Sequence, residues 1–376
     1  MTAISRREFV VGAPSACAML AGARRAPAPL GASARYLHAR ERTGSFARAL
    51  RRAGLLGGIA GVAPARGLPG PCIAVGPWGS ARAQLAFAEA RGAADLRGTP
   101  WGVAFSPEGP TGRTCFSEAA RADDAGPHLG PSSALHRRVL VHAWMAGAGF
   151  VFDAAGPACL FAEPTATALT SYGRAVREFL TFVQRHPDLG QPWTPLALRV
   201  EDSAARRDLE AALFPAIPTG DAEAAVLAPA HAPETFDVLP PVATARQSGR
   251  YRAVLALRSG DGLRAVEEAR RWCPFERETD GPLQVRWRSA DATWVVAVHN
   301  PRGARRADPL GLGSALDPAC VLHERLTPRF RVRSVRAIAA WPGGTRATLR
   351  RGAIECAVGP GGVLIVEAVG DPWPLS

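Results

Sequence analysis

The sequence predicts a multidomain chain of the α/β plus all-β class. Three observations lead there. Over residues 33–186 short apolar runs alternate with helical ones, the pattern of βαβ units around a parallel sheet. A break at His186-Pro187-Asp188-Leu189-Gly190 opens a second, smaller α/β region, residues 187–275. Over residues 280–372 the apolar period falls to two, which predicts antiparallel hairpins and a β-sandwich to bury them.

In the first region, Cys72-Ile73-Ala74-Val75-Gly76 reads as a buried strand, and Ala81 to Arg91 as a helix with Leu85 and Ala88 inward. Trp101-Gly102-Val103-Ala104-Phe105 is a second strand. After a Gly- and Pro-rich loop over 106–132, Ser133 is placed to cap a helix reaching about Met145. Leu135, Val139, Leu140 and Ala143 recur along it at helical spacing. Gly149-Phe150-Val151-Phe152-Asp153 is a third strand, and Ser171 opens a helix through Val176, Phe179, Leu180 and Val183. Arg35–His38, Phe46–Leu55 and Ile59–Val62 are candidates for one or two more units.

The second region holds strands Leu196–Val200 and Tyr251–Leu257. Ser259-Gly260-Asp261-Gly262 follows, with a helix that puts Leu263, Val266 and Ala269 on one face. In the last region Leu283 to Arg288 alternates strictly, and Ser289 to Ala292 turn the chain into Trp294–Val298. Arg346–Arg350, Ile354–Val358 and Val363–Val369 are joined by Arg351-Gly352 and by Gly359-Pro360-Gly361-Gly362.

A length of 376 residues suits two or three domains. Apolar residues at 47% and charged residues at 21% exclude wholesale disorder. No run of uninterrupted apolar residues is long enough for a membrane-spanning helix. The net charge of +12 comes from 45 basic residues that are all Arg, beside a single Asn, Asn300. That usage reads as codon bias toward Arg and Ala. In the densest basic run, Arg325, Arg329, Arg331, Arg333 and Arg336, the residues Arg329, Arg331 and Arg333 alternate with Phe330 and Val332 like the wet face of a strand. A solvated surface is expected there, with no nucleic-acid partner.

Ser5-Arg6-Arg7-Glu8-Phe9-Val10 resembles a twin-arginine export signal. A weakly apolar run to Ala23 follows, and then an A-x-A-like cleavage site at Ala26-Pro27-Ala28. The expectation is a signal peptide over residues 1–28, no stable membrane anchor, and a periplasmic or extracellular mature chain of net charge +9. Its cysteines, at 72, 115, 159, 273, 320 and 356, show no CxxC spacing. They either pair in an oxidising compartment or serve as small buried apolar residues.

Three stretches carry a family resemblance. They are Thr170-Ser171-Tyr172-Gly173-Arg174, Arg177-Glu178-Phe179-Leu180-Thr181-Phe182-Val183, and His186-Pro187 through Pro192-Trp193-Thr194-Pro195-Leu196-Ala197-Leu198. In this order, after Arg97-Gly98-Thr99-Pro100-Trp101-Gly102-Val103, they resemble a passage of large exported glycoside-hydrolase-like proteins. Trp294 to Asn300 and Gly359-Pro360-Gly361-Gly362-Val363 fit the same pattern, so the resemblance spans roughly residues 95–370. It implies a partial TIM-barrel-like (β/α) region over 33–186 and a small Rossmann-like, glutamine-amidotransferase-like domain over 187–275. The C-terminal β-sandwich over 280–372 completes an order similar to that of β-galactosidases with a trimerisation domain. Eight βα units need about 200 residues or more, so the barrel is expected to be truncated. The middle domain, with no Cys at a strand-to-helix turn, is expected to serve packing or homo-oligomerisation.

Barrel sites gather at the carboxyl ends of strands, and glycoside hydrolysis generally uses two carboxylates. Asp153 closes a strand where the resembled proteins tend to carry Glu, Glu108 follows the strand ending at Phe105, and Glu163 lies in the loop after Asp153. The competing reading is an Asx-turn at Asp153 and solvated loop acids at the other two. Trp101 and Trp78 flank strand ends as platforms for a pyranose face, or as rim packing. His128, His136 and His142 lack a spacing that gathers metal ligands, and no G-x-S-x-G elbow or P-loop occurs. No metal or cofactor is expected. The reading is an exported carbohydrate-active protein that cleaves glycosidic bonds with paired carboxylates. Its alternative is a non-catalytic relative that binds poly- or oligosaccharide or serves assembly.

Overall fold

The computed structural model describes residues 35–38, 72–75, 83–98, 101–105, 132–153, 169–215, 227, 230–241, 243, 249–306, 314–342 and 345–373. These described residues fall into two compact units, one holding those up to Trp144, Ala148–Pro187 and those within Arg305–Ala315, the other holding Met145–Gly147, Asp188–Ala304 and those from Leu316 onward.

The first unit is built on a parallel sheet of β1 (Arg35–His38), β2 (Cys72–Val75), β3 (Gly102–Phe105) and β4 (Phe150–Asp153), in the order β1-β4-β3-β2. Helices α1 (Ala83–Arg97), α2 (Ser133–Met145) and α3 (Ser171–Arg185) alternate with the strands. The first of them runs past the expected end at Arg91, because Ala93 and Ala94 continue its buried face. The cap of α2 is Ser132, not Ser133: its hydroxyl accepts the Leu135 N–H at 3.2 Å. Thr170 caps α3 through the Gly173 N–H at 3.1 Å, a contact worth about 1 kcal/mol. Tyr172, Val176, Phe179 and Val183 form its buried stripe, and Pro187 stops it because the residue before a proline is pushed out of helical geometry. Arg137 of α2 meets Glu178 of α3 at 2.6 Å.

The second unit has two layers of different character. Strands β6 (Leu196–Val200), β7 (Phe236–Leu239) and β8 (Ala253–Leu257) make a parallel sheet in the order β7-β6-β8, with α4 (Ser203–Leu213) and α5 (Gly262–Arg271). Asp202 caps α4 at the Ala205 N–H, 2.8 Å away. Gly262 has no substitute, because a Cβ there would stand 2.4 Å from the Asp208 carbonyl oxygen of α4.

Two antiparallel sheets then face one another. Their strands are β5 (Gln191–Pro192), β9 (Phe275–Arg277), β10 (Leu283–Arg288), β11 (Thr293–His299), β14 (Leu322–Pro328), β15 (Val332–Trp341), β16 (Arg346–Arg350), β17 (Ala353–Val358) and β18 (Val363–Gly370). One sheet is ordered β15-β18-β11-β10-β5 and the other β16-β17-β14-β9. Two further short strands, β12 (Ala304–Arg306) and β13 (Ser314–Leu316), pair with each other. Val285, Trp294, Val296 and Val298 interdigitate with Leu326, Ile354, Cys356 and Val358 to fill the core. Trp294 is its centre, with ring centroids at 4.4 Å to Trp287 and 5.0 Å to Trp193. The β16–β17 hairpin closes on Arg351 and Gly352, both at positive φ (49° and 79°), as a tight two-residue turn requires.

Cys273, Cys320 and Cys356 are reduced thiols that take part in no disulfide. Burial pushes the Cys273 thiol up to about 11 and the Cys356 thiol up to about 12, so both stay protonated in the core. Iodoacetamide at pH 8 is therefore expected to label Cys320 at least tenfold faster than Cys273 or Cys356 in the native chain, read peptide by peptide by mass spectrometry. Equal rates would overturn that picture of the core.

The Arg-rich run sits on β14, β15 and their junction, and four of its five members are matched to acids. Arg325 approaches Glu278 at 3.8 Å, Arg329 Glu276 at 3.4 Å, Arg333 Asp371 at 3.9 Å and Arg336 Glu367 at 2.6 Å.

Candidate functional site

In a parallel sheet the strand ends where ligands bind are the carboxyl ends, since the loops that follow converge there. In the first unit one cross-strand row closes that edge. Val75 pairs with Phe105, Phe105 with Asp153, and Asp153 with His38. Asp153 therefore stands between two neighbours at the end of β4, and His38 occupies the same level on the adjoining strand. Reasoning along the chain marked Asp153 but missed His38 as its neighbour, because adjacency of β1 and β4 is a matter of sheet order. Glu108, Glu163 and Trp78 lie outside the described residues. Trp101 is 4% exposed, with its ring centroid 5.7 Å from that of Phe87. It occupies a packing position.

Two of the three histidines weighed as ligands lie on α2. His136 is fully buried against the edge of Tyr172 at 5.4 Å, and burial, with Arg137 beside it, lowers its pKa to about 3. His142 is buried against Phe87 at 5.3 Å. Among the described residues no three His, Cys, Asp or Glu side chains gather as a metal site. Among those residues, too, no helix is long and apolar enough to cross a membrane.

The parallel sheet of the second unit has polar groups at both ends. At the amino ends, buried Asp237 of β7 accepts from the Tyr251 hydroxyl and from Arg250, each at 2.8 Å, and from the Thr194 hydroxyl at 3.3 Å. Burial, and then the Asp237 carboxylate, raise the Tyr251 pKa, so its phenol remains a donor. This is a structural network on the side of the sheet away from ligands. At the carboxyl ends, the Ser259-Gly260 turn is filled from within. Asp208 of α4 accepts from the Ser259 hydroxyl at 2.9 Å and from the Gly260 N–H at 2.7 Å. Those two bonds hold its carboxyl below the usual range, the Gly260 bond most.

The same unit also contains a cavity of about 260 Å³ between the end of α5 and the hairpin after β9. His231, Arg270, Cys273, Arg277, Glu278 and Asp280 are among its walls.

No family model matches the chain, and no curated protein matches it. Among solved structures it is similar to the catalytic module of a family 98 glycoside hydrolase from Streptococcus pneumoniae TIGR4, in complex with the H-disaccharide blood group antigen. The TM-score is 0.43 at 9% identity, over 79% of this chain and 67% of that one. It is also similar to alpha-L-fucosidase isoenzyme 2 from Paenibacillus thiaminolyticus, with a TM-score of 0.36 at 9% identity over 80% of this chain and 65% of that one. Both likenesses are too distant to transfer a site residue.

Proposed function

We propose that the protein is an exported carbohydrate-active protein of glycoside-hydrolase-like type, acting at the carboxyl edge of its parallel sheet. The observation that supports this most directly is the row Phe105–Asp153–His38, which sets an acid and an imidazole-bearing residue side by side at the ligand end of β4 and β1. A carboxyl group there suits protonation of a glycosidic oxygen, and a neighbouring histidine suits holding its proton. Glu108 and Glu163 are proposed as the second carboxylate, and Trp78 as a platform for the sugar. Residues 1–28 are proposed as the export signal, with the mature chain periplasmic or extracellular.

One observation favours a second reading, a non-catalytic saccharide binder. Among the described residues the parallel sheet has four strands, half the number that closes a (β/α)₈ barrel. Turnover on a panel of aryl glycosides and polysaccharides separates the two. A hydrolase is expected to lose about 10²–10⁴-fold in kcat on Asp153→Ala, the range for a positioned acid or base, with a smaller loss for His38→Ala. Absence of turnover with retention on a polysaccharide affinity gel, weakened by Asp153→Ala, would establish the binder. Neither turnover nor retention would overturn both.

A further inference from the structure

Strand β13 lies between two sandwich strands in the chain, yet its Ser314 and Ala315 belong to the first unit, as do Arg305 and Arg306 of β12. Ser314 attaches β13 to the start of α2. Its hydroxyl stands 3.0 Å from that of Ser133 and accepts the Ala134 N–H at 3.2 Å. That N–H is one of the first-turn donors to which a helix offers no internal acceptor. Ser132 accepts the next, from Leu135. Helix α2 therefore begins on two hydroxyl acceptors, one local and one lying 181 residues beyond Ser133.

This start lies at the carboxyl edge of the parallel sheet, where Asp153 ends β4. The other end of α2 is fixed at the amino edge. The Ala148 N–H donates to the Ala143 carbonyl at 2.9 Å, and the Gly149 N–H to that of Trp101 at 2.8 Å, immediately before β3. Near that end His142 packs on Phe87, and Phe87 on Trp101. The 13 residues of α2 span about 20 Å, whereas the four of β3 span about 13 Å. A helix crossing back between parallel neighbours thus carries its start past the carboxyl ends. There it meets the start of α3, the helix that follows β4. His136, in the first turn of α2, meets Tyr172, in the first turn of α3, edge-on with ring centroids 5.4 Å apart.

We infer that Ser314 is a positioning residue for the saccharide site proposed at that edge. It holds the first turn of α2 and, through His136 and Tyr172, the first turn of α3. The inference rests on the saccharide reading and deepens it, since it gives a residue from the C-terminal half of the chain a role in the site of the first unit. Positioning of this kind matters because a misplacement of about 1 Å costs on the order of 10²-fold in rate.

Ser314→Ala and Ser314→Thr in the full chain test it. Ser314→Ala is expected to lower kcat/KM on aryl glycosides, or retention on a polysaccharide gel, at least tenfold, while Tm falls by only roughly 2–4 °C, as for one lost cap bond. Ser314→Thr keeps the hydroxyl and should restore most of the loss. Amide hydrogen exchange reads the positioning without substrate, and in Ser314→Ala it should quicken several-fold at the first turns of both α2 and α3. Exchange that changes at neither turn, or at α2 alone, would overturn the inference. So would a lowered Tm with turnover and retention unchanged, the mark of a purely structural contact. A wild type with neither turnover nor retention overturns the saccharide reading and this role with it, whereas an active wild type that Ser314→Ala matches overturns this role alone. Should Ser314→Ala fail to fold, Ser133→Ala removes the bond between the hydroxyls and keeps the one to Ala134. Turnover and retention equal to wild type in that variant would likewise overturn the role.

Discussion

Glu324→Ala is expected to cost the second unit about 3–5 kcal/mol, the range for breaking a buried ion pair by removing one partner. Glu324 projects from β14 with its side chain 1% exposed, into a site dressed for an anion. The N–H groups of Glu278 and Thr279 each donate to it at 3.2 Å, the Thr279 hydroxyl donates too, and the Arg277 guanidinium lies beside it. Alanine would strand three donors and a cation together. Glu324→Gln keeps an acceptor oxygen but not the charge, so its loss should fall between wild type and alanine. The double variant Arg277→Met/Glu324→Leu should recover most of the stability, since matched apolar groups avoid the desolvation of both ions. Urea unfolding followed by tryptophan fluorescence measures all three, because Trp294 lies in the same unit's core. A Glu324→Ala loss under 1 kcal/mol would show that water reaches the pair.

The same residue marks where the sequence stops being legible. Strand β14 alternates, but its inward positions are Leu322, Glu324 and Leu326, and a pattern read as apolar-in, polar-out fails when the middle inward residue is an acid. Nothing local announces that two N–H groups from another loop will satisfy it. Helix α4 escaped for a different reason. Its buried face is only Ala205, Leu209 and Leu213, with Arg206, Arg207 and Asp208 between them. That stripe is narrow. Elements defined by neighbouring residues were readable: the strands ending at Val75, Phe105 and Asp153, the helix from Ser171, and the hairpin at Arg351-Gly352. Of the candidate site, what was readable is the place of Asp153 at the end of a strand. His38 is brought level with it on the adjoining strand by the order β1-β4-β3-β2, which long-range pairing determines and no window of sequence contains.

Asn300→Asp is expected to destabilise the β-sandwich more than Asn300→Ala does, despite nearly conserving shape. The chain contains one asparagine, and the structure shows the geometry that asks for it. From the end of β11 the Asn300 amide nitrogen lies 2.7 Å from the Cys320 carbonyl, 3.0 Å from that of Val358 and 3.1 Å from that of Gly359. Its amide oxygen accepts the Arg302 N–H at 3.1 Å. One side chain, 2% exposed, thus ties three loops at one end of the sandwich. Only an amide offers donors and an acceptor on one planar group of this size. Alanine leaves those carbonyls short of a donor, a loss of about 2–3 kcal/mol for a buried polar site. Aspartate does worse at neutral pH, because it turns a negative oxygen toward three carbonyl oxygens and buries a charge with no partner. Its penalty should shrink as the pH falls: a carboxyl in that setting has its pKa raised by folding, and protonation restores one donor. Thermal unfolding of both variants between pH 4 and 8 reads the difference. If Asn300→Asp matches wild type at pH 7, the three carbonyls do not depend on the amide, and the loops are held by their own strand pairing.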